Sequence, residues 1–205
     1  MESSQLLTFW SAAGSPGRTT LALAVATELA EGGKNVFLID ADTYAPAIDV
    51  LLGLNDHPAG LAAACRLVSQ ERFDLEQLRR LSVSFDVGGR ALTIMTGLSS
   101  ASRWPEVAPE RLSEIIQVAS QEFDFIVLDV ASGIEGQIKS VSTSSDRNSI
   151  SRWAVANANQ VIVVAGADPV GIARHLDAMS AISELHPKGE VITLVNRLRT
   201  SVLGL

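Results

Sequence analysis

Apolar runs of strand length alternate along this chain with longer segments of helical periodicity, the pattern of a doubly wound α/β sheet. Leu6 to Trp10 reads as the first strand, and Ser11 to Gly17 as a loop of small residues. A helix rich in Ala and Leu follows from Thr19 to Glu31. It stops at Gly32-Gly33, because glycine tolerates the left-handed conformation at a helix end. Val36 to Ile39 is apolar at every position, which suits a strand buried on both faces, and it delivers Asp40 at its carboxyl end. Phe125 to Leu128 repeats the theme and ends in Asp129. Val161 to Val164 and Val191 to Val195 are two more such strands, with a helix from Val170 to Leu185 between them.

The stretch after Asp40 is less regular. Ile48 to Leu54, Leu61 to Val68 and Leu75 to Leu81 suggest short helices, while Ser82 to Val87 and Ala91 to Met95 pair as strands around Gly88-Gly89. Pro109 to Glu122 is a helix with Ile115, Ile116, Val118 and Ala119 on its apolar side. From Gln137 to Ser151, Ser and Thr dominate, with Asp146 and Arg147 embedded. This reads as a mobile loop or insertion rather than a domain linker, since strand and helix patterns resume after it. With no internal repeat, residues 1–205 form one domain. The chain ends at Ser201 to Leu205, soon after a buried-type strand, so a fragment lacking its closing helical segment is expected.

Composition narrows the picture. At 205 residues, 47% hydrophobic and 19% charged, the chain can bury a sizeable core, which argues against disorder and against a small stapled scaffold. Cys65 stands alone, so neither an internal disulfide nor a cysteine-based zinc cluster is available. His57, His175 and His186 have no metal-ligand spacing. A net charge of −7 argues against a nucleic-acid partner, for which Arg147, Arg152 and Arg174 are the candidate contacts. There is no targeting signal or membrane-length apolar run, and a soluble cytoplasmic protein without a membrane segment is expected. Of the 16 basic residues only Lys34, Lys139 and Lys188 are lysines.

The sharpest local feature is Ala13-Gly14-Ser15-Pro16-Gly17-Arg18-Thr19-Thr20, between a predicted strand and a predicted helix. Small residues let backbone approach a polyphosphate, N–H groups and a helix N-terminus supply positive potential, and Thr19 offers a hydroxyl to Mg²⁺. The strict phosphate-loop pattern requires Gly at position 12 and Lys at position 18, which here are Ala12 and Arg18. A small-residue turn capping a helix is the plain alternative. Asp40, Asp42 and Asp129 shift the balance, because ligands of open parallel sheets sit beyond the carboxyl ends of strands. A phosphate loop with strand-end carboxylates for hydrated Mg²⁺ is the nucleotide triphosphatase arrangement, although an Asp ending a strand is also a common helix cap.

The order of these motifs resembles the ParA/MinD family of deviant Walker A ATPases. That family's loop K-G-G-x-G-K-[ST]-[ST] aligns with Ala13 to Thr20 without a gap. Its D-x-D is similar to Asp40-Ala41-Asp42, its D-S-P-A-G-I-E to Asp129 through Glu135, and its late Asn-Arg to Asn196-Arg197. The resemblance covers about residues 6 to 199. It implies a three-layer α/β/α fold of the SIMIBI class of P-loop NTPases, with a mostly parallel central sheet of about seven strands. It further implies ATP and Mg²⁺ as cofactors, a homodimer, and an unidentified protein partner. Gly14, Ser15, Pro16, Gly17 and Arg18 would form the phosphate loop, Thr19 would bind Mg²⁺, and Thr20 would reach the α-phosphate. Asp40 and Asp42 would have the catalytic roles, Asp40 and Asp129 would support the metal, and Asn196 with Arg197 would meet the base.

Three departures fall in the loop. Ala13 replaces the family's signature lysine, which crosses a dimer interface. Arg18 replaces the phosphate-binding lysine with a larger planar fork, and Pro16 lacks a backbone N–H. Two functions follow. One is a nucleotide-dependent switch with weak turnover that positions chromosomes, plasmids, septa or pili. The other is a degenerate, non-hydrolysing scaffold for dimerisation or docking, similar to atypical pilus-assembly (CpaE/TadZ-like) and septum-site members. Asp40, Asp42 and Asp129 favour the first, the three loop departures the second.

Overall fold

The computed structural model describes residues 3–14, 16–54, 58–135 and 146–199. Continuous apolar runs become the interior strands. β1 (Gln5–Trp10), β2 (Val36–Ala41), β5 (Phe125–Val130) and β6 (Gln160–Gly166) are buried along almost their whole length. They pair in parallel, as expected for strands covered on both faces. β3 (Val83–Val87) and β4 (Arg90–Met95) form the expected hairpin around Gly88-Gly89, with β3 the one antiparallel strand, and β7 (Glu190–Asn196) closes the other edge. The seven strands lie in the order β3-β4-β2-β5-β1-β6-β7. This is the anticipated α/β sheet, mostly parallel and of seven strands.

Helices cover both faces. α1 (Arg18–Glu31) presents Ala22, Ala26 and Ala30, four residues apart and at most 1% exposed, so the helix axis lies close against the sheet. Its cluster gathers Leu7, Phe9, Leu38, Val127 and Ile48 from α2 (Ile48–Leu52). The opposite face is covered by α3 (Gly60–Val68), α4 (Leu75–Leu81), α5 (Pro109–Ala119), α6 (Ser149–Asn157) and α7 (Pro169–Glu184). Cys65 on α3 is fully buried, and burial pushes its thiol up to about 12, as suits a packing residue. Trp104, in a 3₁₀ turn over Ala101–Glu106, packs against this core and anchors its loop.

One element differs from expectation. Within the Ser- and Thr-rich stretch, Ser149 onward is already helical; the segment read as loop, Gln137 to Ser151, otherwise lies largely outside the described residues. α6 buries Ile150, Ser151, Ala154 and Val155 against β1 and β5. The stop of α1 falls where expected, at Gly32-Gly33: Gly33, with φ +85°, takes the left-handed position, while Gly32 stays near φ −68°.

Phe37 on β2 stacks on Phe123 with ring centroids 5.0 Å apart, tying the end of α5 to the sheet. Phe123→Ala is expected to lower unfolding stability by about 3 kcal/mol, from lost transfer energy plus a cavity. A urea titration with an unchanged slope and a lower midpoint would register it.

Candidate functional site

The site lies beyond the carboxyl ends of β2, β5 and β1, three neighbouring strands. The β1–α1 loop brings up the N-terminus of α1. Gly17 caps that helix in the left-handed region at φ +95° without a side-chain cap, and its first turn contains no acid. Among the described residues no side chain caps the first-turn N–H groups, which are donors of the kind that meet anions. Gly14 has φ +122°, and a Cβ there would lie 2.7 Å from Arg174 Nη1. A Cβ at Gly17 would lie 2.6 Å from Asn196 Nδ2. Both positions call for glycine by their backbone angle, and an added Cβ at either would push aside the tip of the neighbouring side chain.

Two side chains from the β6–β7 half fasten this loop. Arg174 Nη1 donates to Ala13 O at 3.1 Å, and Asn196 Nδ2 donates to Pro16 O at 2.8 Å. Asn196, expected to read a base edge, is thus engaged by the loop. Its neighbour Arg197, at φ +60°, is the member of the pair that lines the adjoining cavity. That cavity measures about 690 Å³ and is bordered by Gly14, Gly17, Thr19, Thr20, Tyr44 and Ser132 among others. It lies within the size range of small-molecule and cofactor sites. Ser15 lies outside the described residues.

The three acids are deeply buried, with Asp40 and Asp129 at 0% exposure and Asp42 at 5%. Asp40 and Asp129 are direct cross-strand partners in the β2–β5 register. Asp40 is used as a helix cap: Oδ2 accepts from Ala47 N (2.9 Å) and Ile48 N (3.0 Å) at the start of α2, and Oδ1 accepts from Asp42 N (3.2 Å). Asp42 Oδ1 accepts from Tyr44 N (2.8 Å) and Ala45 N (2.9 Å), holding the turn after β2. Burial, then repulsion from Asp129, pushes the Asp40 carboxyl up to about 7. Burial also raises Asp129, against the pull of Arg18 and the Thr19 hydroxyl.

Arg18 occupies the centre of this group. Its Nε donates to Asp129 Oδ1 at 2.7 Å, Nη2 to Asp42 Oδ2 at 2.5 Å, and Nη1 to Ser132 Oγ at 3.2 Å. The side chain is 11% exposed, against 6% and 0% for its carboxylate partners. Arg18 sits at the position that the loop pattern gives to a phosphate ligand, yet its fork is committed to the acids.

These contacts decide how the groups implied by the motifs fit. The uncapped α1 N-terminus, the two glycines and the cavity suit a polyphosphate. A divalent cation is served poorly. Among the described residues no cluster of three His, Cys, Asp or Glu side chains forms a metal site. Of the six oxygens on Asp40, Asp42 and Asp129, five already accept from backbone or Arg18, and only Asp129 Oδ2 lacks a partner. As arranged among the described residues, these carboxylates leave a cation one oxygen, Asp129 Oδ2, while Thr19 lines the cavity.

Three features escaped the sequence reading. Ser132 belongs to a quoted motif but had no assigned role. Arg174 was considered only for nucleic acid, and its partner Ala13 is 161 residues away. The third is a clasp: the Arg147 guanidinium lies 3.8 Å from the Tyr44 ring centre and donates to Thr43 O, while Tyr44 Oη donates to Asn148 Oδ1 at 2.9 Å. It fixes the start of α6 beside the turn after β2. A tyrosine followed about a hundred residues later by Arg-Asn gives no local sign of such a contact.

No protein-family model matches the chain. The septum site-determining protein MinD of Bacillus subtilis is 29% identical over 143 residues, 65% of this chain and 47% of that protein. MinD of Synechocystis is 24% identical over 215 residues, covering 98% of this chain and 67% of the relative. The chain spans about half to two thirds of the length of the curated relatives it matches. In fold it is similar to a ParA family ATPase of Chlorobium tepidum, with TM-score 0.77, 19% identity, and coverage of 96% of this chain and 75% of that one. It is likewise similar to MinD of Pyrococcus horikoshii complexed with Mg-ADP, with TM-score 0.69, 17% identity, and coverage of 95% and 70%.

Two outcomes follow from the buried charges. Arg18→Met leaves Asp42 and Asp129 without their cation and is expected to cost about 3–5 kcal/mol, read by chemical denaturation. For Asp40, the folded value near 7 lies above the ordinary 3.8, so folding takes up a proton between those limits. Its contribution to stability therefore falls as pH rises from about 4 to about 7 and is level outside that window. In Asp40→Asn that component is absent, so the wild-type stability relative to the variant should decline across the same window; a parallel pair of profiles would refute the assignment.

Proposed function

We propose that this chain, similar in sequence to septum site-determining MinD proteins and in fold to MinD and ParA ATPases, binds ATP in the cavity over the α1 N-terminus. It acts as a nucleotide-dependent switch in spatial positioning, of the kind that places septa, partitions chromosomes or plasmids, or sites pili, and its turnover is slow or weak. The observation that carries this reading is the coincidence of an uncapped helix N-terminus, two positive-φ glycines and a cavity of about 690 Å³ at one edge of the sheet. The description of one fold neighbour as an Mg-ADP complex, and of another relative as an ATP-binding protein, supports the choice of adenine nucleotide.

In this reading the α1 N–H groups and the loop backbone hold the phosphates, Thr20 lies at the cavity edge near them, and Arg197 borders the space for the nucleoside. Asp42 lies at the cavity and fixes the turn that carries Tyr44, so it couples what is bound to the segment beside α6. Such a switch works as a homodimer that engages a protein partner, in the cytoplasm. Among the described residues no helix is long and apolar enough to cross a membrane.

A second reading rests on one contact set. Arg18, by pairing with Asp42 and Asp129, supports a scaffold that keeps the fold while hydrolysis is lost. Removing a single transition-state donor typically costs 10²–10³ in rate, so even a bound nucleotide would turn over slowly.

Under the ATP-binding reading, ATP at about 100 times its Kd raises the melting temperature by about 5 °C or more, because it binds only the folded state. Phosphate release is slow, and Asp42→Ala abolishes it. Release unaffected by that substitution removes the switch and leaves the scaffold; no thermal shift at millimolar ATP removes nucleotide binding.

A further inference from the structure

We infer that Arg18 takes the place of the divalent cation at this site, so that the chain binds nucleotide without Mg²⁺. The inference rests on the nucleotide reading above and deepens it. A hydrated dication in such a cavity needs carboxylate oxygens to hold its water shell and a place between them and the phosphates. Here that place is filled by a covalently tethered positive charge. Arg18 Nε and Nη2 bridge Asp129 and Asp42 at 2.7 and 2.5 Å, and Nη1 reaches Ser132 Oγ at 3.2 Å. These are oxygens a hydrated ion would use, and they come from the ends of two neighbouring strands.

The guanidinium also has capacity left over. It carries five N–H donors, of which three are spent on described residues, so there one remains on each of Nη1 and Nη2. The side chain lines the same cavity as Gly14, Gly17 and Thr19. A bidentate fork is well matched to phosphate oxygens, so one residue neutralises the acids and faces the ligand, the two tasks a bridging metal performs. Lysine would not do this. Its single point charge cannot span Asp42 and Asp129 at once, and it would leave one carboxylate open to a cation.

The test has two arms. In the first, ATP is titrated into the protein calorimetrically, with millimolar Mg²⁺ or with EDTA. The wild-type Kd is expected to change by less than about twofold, whereas in Arg18→Lys it weakens by about tenfold or more when the metal is removed. In the second, Mn²⁺ alone is followed by electron paramagnetic resonance, without nucleotide. The wild type is expected to take up none specifically, while Arg18→Lys and Arg18→Met gain one site that a further Asp129→Asn change removes. A wild-type affinity that falls tenfold in EDTA, or a wild-type Mn²⁺ site lost in Asp129→Asn, overturns the inference. Absence of ATP binding in both buffers overturns the nucleotide reading and with it the metal-free binding, while the Mn²⁺ arm separately decides whether Arg18 fills the cation's place. Arg18→Lys retains a charge between the acids, so the comparison does not depend on Arg18→Met folding.

Discussion

One guanidinium held between two buried carboxylates sets the terms for this end of the sheet. Arg18 follows β1, Asp129 ends β5, and Asp42 follows β2, so the ion-pair network clasps three adjacent strands at the edge where their hydrogen-bond ladders run out. Carboxylates at 0% and 5% exposure carry a heavy desolvation cost unless paired. Any change in what Arg18 touches therefore changes the stability and the chemistry of the site together. Asp40 shows the alternative solution. Its cross-strand neighbour is another acid, its own partners are backbone N–H groups at the start of α2, and it keeps its proton to about pH 7. The sheet thus stacks two acids side by side and stabilises one with a cation and the other with a helix end.

The supporting framework explains how so tight a group is held in place. The alanine stripe of α1 brings the helix close to β1, which fixes where its first residue, Arg18, begins. Gly97 performs a similar service on the far side. A Cβ there would lie 2.7 Å from Pro46 Cβ and 3.0 Å from Asp40 Cγ, so only glycine lets the turn between β2 and α2 close over the carboxylate. The Tyr44–Arg147–Asn148 clasp then joins this turn to α6, and Asn148 Nδ2 donates onward to Glu135 O.

Much of the fold was legible because interior strands of a parallel sheet read as unbroken apolar runs, and β2, β5 and β6 are of that kind. α6 was not, since its sequence Ser149 to Asn157 opens inside a Ser/Thr-rich stretch and buries a serine among its apolar contacts. The strand-end acids and the loop were legible from their places at strand ends and between a strand and a helix, and the helix-cap alternative for a strand-end Asp describes what Asp40 does. The role of Arg18 could not be read this way. Its partners are 24 and 111 residues distant, and a basic residue at that loop position fits either phosphates or acids until the strand order is known.

Strand order also changes the meaning of the other loop departures. Pro16 has no N–H to donate, and the group in use there is its carbonyl, which accepts from Asn196. Ala13, where relatives of the resembled family carry a lysine, likewise offers its carbonyl to Arg174. Both contacts reach from the β6–β7 half across to the loop, and both rigidify backbone that a ligand would otherwise have to order. A loop fixed in advance lowers the conformational cost of binding. The same rigidity works against a cycle that needs the loop and acids to rearrange between states. Of the three, only Arg18 holds the site still with its own side chain; the carbonyls at 13 and 16 would be there with any residue, so Pro16 costs the loop one N–H without adding a contact.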